Sequence, residues 1–152
     1  MEKLLEKVGN NNNNTYNIQL NNYGKENMEY IKDADYVKLL GAPFYSIPKL
    51  VKKLHFNEEH PENQNIRITN KKLPFAEVYK NDKWEIRNKQ EALLDMIDVK
   101  KGILDERYEV LKDELENHKQ DNYEEYKDKR ENEKWSKKIE LKTELEILNG
   151  SR

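Results

Sequence analysis

The clearest apolar rhythm in the chain lies at residues 46–54. Ile47, Leu50, Val51 and Leu54 recur at i, i+3, i+4 and i+7, which puts them on one stripe of a helix facing a core. Ser46 and Pro48 suit its first turn, and Lys49, Lys52 and Lys53 fall on the opposite side. A polar loop punctuated by Pro61 follows, then an alternation over 65–69 that reads as a strand. Two further alternating runs, 75–80 and 83–87, flank Asn81-Asp82, a dipeptide that favours a two-residue hairpin turn. That register sets Tyr79 opposite Trp84 and Glu77 opposite Ile86. Phe75, Tyr79, Trp84 and Ile86 then share one face, which is expected to seat the helix at 47–54.

After the hairpin the period lengthens. Asn88 caps a helix, with Glu91 three positions on as its capping-box partner. Leu94, Lys101, Tyr108 and Leu115 fall at one heptad position, and Ile97, Leu104, Leu111 and His118 at the other. This predicts a short coiled coil from Asn88 to about His118, weakened locally at Lys101 and Gly102. Residues 119–134 are almost wholly charged or polar and read as either an exposed helix or a loosely ordered connector. Trp135, Ile139, Leu145 and Leu148 restore a helical stripe that ends at Gly150. It either folds back on the preceding helix or pairs with another chain.

Before residue 46 the signals are weaker. Leu4, Leu5 and Val8 make a helical stub too short to stand alone, and Asn10 to Asn14 form a linker with no apolar face. Ile18, Leu20 and Tyr23 fit a brief extended segment. Met28, Ile31, Val37 and Leu40 fit short helical turns that stop near Gly41 and Pro43. The chain therefore divides into a helical stub and Asn-rich linker (1–35), a small α+β module (36–88) and a charged helical region (89–152). The expected fold class is α+β: a small helix and a three-stranded antiparallel sheet, followed by long C-terminal helices of coiled-coil type.

Composition adds a constraint. With 35% hydrophobic and 38% charged residues, the 152-residue chain is thinly supplied for a monomeric globule. A small core completed by a homo-oligomeric interface fits better. A dimer is favoured, held by Leu94, Ile97, Leu104, Tyr108, Leu111 and Leu115. The chain has no cysteine, which removes disulfides, thiol nucleophiles and thiolate zinc sites and fits a reducing compartment. No apolar run approaches the roughly 20 residues of a membrane span, so no membrane partner is expected. The N-terminus lacks the apolar core of a secretion signal.

The net charge of -2 is unevenly placed. Residues 36–90 carry 11 basic and 6 acidic side chains, whereas residues 91–152 carry 13 and 18. The basic stretch is either ordinary surface scatter or a nucleic-acid face. The candidate contacts are Lys49, Lys52, Lys53, Lys71 and Lys72, with Tyr45, Tyr79 and Trp84 among them. His55, Asn57, His60, Glu62, Asn63 and Asn65 form the densest polar cluster. Its side chains either hold a metal, as in His-Asn-His nucleases, or cap backbone groups in the loop. Capping is the expectation. No glycine-rich phosphate loop occurs, and the three serines have no partner pattern. A non-enzymatic protein with no catalytic residue, metal or cofactor is therefore expected.

Three strings carry a resemblance: NNYGKEN at 21–27, IPKLVKKLHFNEEHPENQNIRITN at 47–70, and VYKNDKW at 78–84. From Asn21 to about Tyr108 the chain resembles an uncharacterised region found in many proteins of giant (nucleocytoplasmic large) DNA viruses. In those proteins the region usually follows a zinc finger or other recognition part, a coiled coil and an Asn-rich linker. The MEKLLEKVGNNNNN start is similar to the end of such a coiled coil and its linker. The zinc finger has no counterpart in a chain without cysteine. The resemblance implies a viral module, in a host cytoplasmic viral factory or the virion, that self-associates and binds a macromolecule such as viral DNA or a nucleoprotein. A purely structural oligomerisation scaffold and a metal-dependent nuclease-like domain are the competing expectations.

Overall fold

A computed structural model describes residues 18–152. The stub with Leu4, Leu5 and Val8 and the Asn10–Asn14 tract lie outside the described residues. The elements run α1 (Asp33–Leu40), α2 (Ser46–His55), β1 (Ile66–Arg67), β2 (Phe75–Lys80), β3 (Lys83–Asn88), α3 (Lys89–Leu111), α4 (Asn117–Lys129) and α5 (Glu133–Gly150). Short 3-10 turns precede α2 and β1 and follow α3. The class is α+β: long C-terminal helices around a three-stranded antiparallel sheet of order β1-β2-β3. Among the described residues, no helix is long and apolar enough to cross a membrane.

The hairpin forms in the expected register, with Tyr79 opposite Trp84 and Glu77 opposite Ile86. Asn81 and Asp82 sit at φ 54° and 62°, the left-handed pair that a tight two-residue turn needs. The face is inverted. Phe75 and Ile86 are 54% and 72% exposed, and Trp84 and Tyr79 are half-buried. The side that meets the helices carries Ala76 and Val78. They join Ile66, Ile68, Val51, Ala92, Leu93, Met96 and Ile147 in one cluster. The reason is local. Both alternating sets of β2 contain apolar residues, so alternation alone does not choose between them. The smaller pair lets α2, α3 and α5 approach the sheet closely.

The larger cluster lies among the helices. Tyr36, Leu39 and Leu40 of α1 and Ile47, Leu50 and Leu54 of α2 pack on Ile97, Leu104, Tyr108 and Leu111 of α3. Leu115, Tyr123, Tyr126 and Ile139 close the cluster. The heptad seam is thus a core stripe, filled by helices of the same chain rather than by a second copy. Leu94 remains 46% exposed, Lys101 pairs with Glu131 at 2.8 Å, and His118 is exposed. Both clusters draw residues from either side of position 88, so no packing boundary separates 36–88 from 89–152.

Residues 119–134 are not a loose connector. α4 buries Tyr123 and Tyr126 at i and i+3, and Tyr123 stacks on Tyr108 with ring centroids 4.2 Å apart. Arg130 grips Asp105 with two bonds of 2.6 and 2.8 Å, and the Tyr123 hydroxyl donates to the same carboxylate at 2.7 Å. α5 folds back on α2 and α3 through Ile139, Thr143 and Ile147. Leu145 lies on its outer side. A Cβ at Gly150 would collide with the Phe56 ring, so a glycine there lets the end of α5 close over α2.

Candidate nucleic-acid interface

The inverted hairpin creates the most distinctive surface on the molecule. β2 and β3 turn Phe75, Glu77, Tyr79, Trp84 and Ile86 outward, and β1 adds Arg67 opposite Glu77. The Arg67 guanidinium lies over the Trp84 ring, 4.0 Å from its centroid, and binds both oxygens of Glu77 at 3.2 Å. Tyr79 meets Trp84 edge to face. Beside them Arg67, Leu73, Phe75 and Ile86 line a shallow hollow of about 210 Å³. That is below the roughly 300 Å³ at which small-molecule pockets begin, so it suits a single ring or side chain rather than a cofactor. Of the seven basic side chains in residues 66–89, Arg67 lies on this face and Lys71 and Lys72 lie in the connection beside it, whereas Lys80, Lys83 and Arg87 fall on the side of Ala76 and Val78 and Lys89 pairs with Glu144. The Glu77 carboxylate at the centre is already matched by Arg67.

The five candidate lysines do not form one patch. Lys49, Lys52 and Lys53, with Lys38 of α1, rim a groove of about 630 Å³ floored by Leu39 and Phe56. Asp35, Glu58 and Glu59 line the same groove, and Asp35 holds Lys53 at 3.3 Å. Four ammonium groups against three carboxylates leave little net field there. Lys71 and Lys72 are exposed in the β1–β2 connection, beside the aromatic face and absent from the groove.

The polar cluster around His55 turns inward as a latch. Asn63 and Asn65 are fully buried and clamp the irregular segment 20–31. Asn63 accepts from the Asn27 amide at 2.9 Å and donates to the Asn27 carbonyl at 2.7 Å. Asn65 donates to the Asn21 carbonyl at 3.1 Å and to Glu26 at 2.7 Å. His55 Nδ1 faces two acceptors, the Asn63 carbonyl at 3.1 Å and Asn65 Oδ1 at 2.9 Å, so it carries the proton. Burial, and then the Lys100 charge, holds the His55 pKa well below the usual imidazole value. His60 instead stacks on Tyr30 at 3.6 Å and pairs with Glu62 at 3.1 Å. The two histidines serve different partners, and no group of three metal-ligating side chains occurs among the described residues. NNYGKEN and HPENQN are therefore the two halves of one latch. Of the two, only the second stands out in the sequence as a cluster of candidate ligands.

Lys100 was not singled out by its sequence. It lies on the buried side of α3, only 2% exposed, facing Glu26, Asp95 and His55. Burial pushes its pKa down to about 8, against the opposing pull of Glu26 and Asp95. An unfolded lysine keeps its proton to about 10.5, so the unfolded chain binds more protons between these values. Stability should accordingly rise with pH across that window. Lys100→Met should abolish that rise. It should also stabilise the protein at pH 7 by up to about 3 kcal/mol, the equivalent of the shift at 1.36 kcal/mol per unit. Urea midpoints of both proteins at pH 7 and pH 10 test this, and parallel pH dependence would contradict it.

No family model matches the chain, no curated protein matches it, and no solved structure matches it.

Proposed function

We propose that the protein is a non-enzymatic module that binds nucleic acid through unpaired bases on the outward face of its sheet. The observation that carries this reading is the exposure of Phe75 and Ile86 beside the half-buried Trp84 on the outward face of the sheet, next to the exposed Lys71 and Lys72, within a chain that is acidic overall. Bases stack on aromatic rings and on guanidinium planes, and lysines at the border of a sheet follow the backbone phosphates. Arg67 over Trp84 offers such a plane, Phe75 offers an open ring, and Lys71 and Lys72 supply charge. In the setting implied by the resemblance to giant-virus proteins, the ligand is viral nucleic acid exposed in a viral factory or packaged in the virion.

The test is anisotropy of a labelled oligothymidylate and of a duplex of equal length. The single strand should bind more tightly, with log affinity falling against log salt by about 0.7 per phosphate contacted. Phe75→Ala and Trp84→Ala should each lose about 1–3 kcal/mol of binding, the usual worth of one base stack. Their stability should stay within about 1 kcal/mol of the parent, because neither ring sits in the core. Replacing Lys49, Lys52 and Lys53 with Glu should leave single-strand binding near the parental value. Absence of binding at low salt, or binding indifferent to both aromatic substitutions, would overturn the proposal.

A further inference from the structure

We infer that two copies of this chain pair edge to edge through β3, joining their sheets into one antiparallel six-stranded sheet. The ladder geometry defines the free edge. The Tyr79 amide donates to the Asn65 carbonyl at 2.8 Å, so the odd positions of β2 face β1 and the even ones face β3. The pairs Ala76–Arg87, Val78–Glu85 and Lys80–Lys83 therefore exchange the β2–β3 bonds. The backbone groups of Trp84, Ile86 and Asn88 then point away from the sheet. Among the described residues, Trp84 and Ile86 have no backbone partner on that side, and the Asn88 carbonyl opens the first turn of α3. β3 is six residues long and contains neither a proline nor a bulge, and of the devices that usually blunt an edge it carries only charged side chains, Lys83, Glu85 and Arg87.

The side chains select one partner and one register. Only even positions point outward, and a two-fold axis allows few alignments. An axis at Glu85 sets Glu85 against itself, and an axis at Arg87 sets Arg87 against itself. Each opposes like charges, which disfavours pairing. An axis at Trp84 runs the pairing into the Asn81-Asp82 turn, and an axis at Asn88 runs it into α3. An axis at Ile86 keeps the whole strand and sets Glu85 across from Arg87 on both sides. It also brings the two most exposed apolar side chains of the sheets, Ile86 and its equivalent, side by side. Lys83 falls at the end, opposite Lys89, whose ammonium is already held by Glu144 at 2.9 Å. An isologous patch that is self-complementary in one register and repulsive in its neighbours fits a second copy of this chain. The joined sheet also sets the two outward aromatic faces next to each other.

Sedimentation equilibrium at tens of micromolar chain tests the pairing. The parent should have twice the 18.3 kDa chain mass. Ile86→Pro should weaken the dimer at least tenfold. It removes a donor that only the partner uses, and edge strands tolerate proline there. Glu85→Arg and Arg87→Glu should each dissociate it, because each opposes like charges across the axis. The double variant restores the opposite pairing and should dimerise again, and it keeps the test decisive if Ile86→Pro folds poorly. Ile86→Cys should form a disulfide-linked dimer on mild oxidation, because the chain has no other cysteine. A parent that sediments at the mass of one chain would overturn the inference. A dimer indifferent to the charge reversals would overturn it equally.

Discussion

Leu104→Glu is expected to unfold the isolated chain. Leu104 is fully buried where α1, α2 and α3 meet, with Leu50, Tyr108 and Leu111 in the same cluster. The substitution deletes a leucine, worth about 2–5 kcal/mol in a core. It also leaves a carboxylate without a partner in an apolar site, a penalty of several kcal/mol more. Together these approach the 5–15 kcal/mol that keeps an ordinary domain folded, so no cooperative urea transition should survive. Leu94→Glu is the control. Its position is 46% exposed, so the change should stay within about 0.5 kcal/mol. If position 104 instead faced a second copy, the variant would remain folded at the mass of one chain. A parental urea midpoint for Leu104→Glu would refute the core assignment.

Asn63→Ala should produce the next largest loss, through hydrogen bonds rather than packing. The Asn63 side chain satisfies both the amide and the carbonyl of Asn27 and also accepts from Asn21 Nδ2 at 3.0 Å. Alanine leaves two backbone groups of Asn27 without their partner. At roughly 1–3 kcal/mol each, the expected loss is about 3 kcal/mol. The effect should be local before it is global. Hydrogen exchange should quicken first at Asn21 and Asn27, while amides in α3 keep their protection until the whole domain opens. A variant with parental exchange at Asn27 would mean that the segment 20–31 is held by something other than this latch.

What was legible in the sequence follows from how local its cause is. The stripe Ile47, Leu50, Val51 and Leu54, the turn at Asn81-Asp82 and the cap at Asn88 each depend on residues within a few positions. All three form, and the Asn88 side chain accepts from the Glu91 amide at 2.9 Å. The identity of the buried side of the hairpin is not local. It depends on α3 and α5 arriving from elsewhere, and they fit against Ala76 and Val78 better than against Tyr79 and Trp84. The heptad signal has the same weakness. Period alone says that Leu104, Tyr108 and Leu111 are covered, not which chain covers them. Tyr123 and Tyr126 were hidden by the charges around them, although i, i+3 aromatics in a polar helix are enough to dock it. Lys100 carried no signal, because a lysine one turn after Met96 reads as a surface residue until its burial in the fold, within electrostatic reach of Glu26 and His55, is known. Of the candidate site, the lysines were visible and their arrangement was not. The aromatic residues were visible too, but assigned to the wrong side of the sheet.

The most direct test of the outward face as a nucleic-acid surface is an amide chemical-shift map of the ¹⁵N-labelled protein titrated with unlabelled oligothymidylate at low salt. The proposed interface predicts shifts concentrated at Arg67, Leu73, Phe75, Tyr79, Trp84 and Ile86, with Lys49, Lys52 and Lys53 on α2 nearly still. Shifts confined to α2 and the groove beside it, with the sheet unmoved, would contradict it, as would a spectrum that does not change at all.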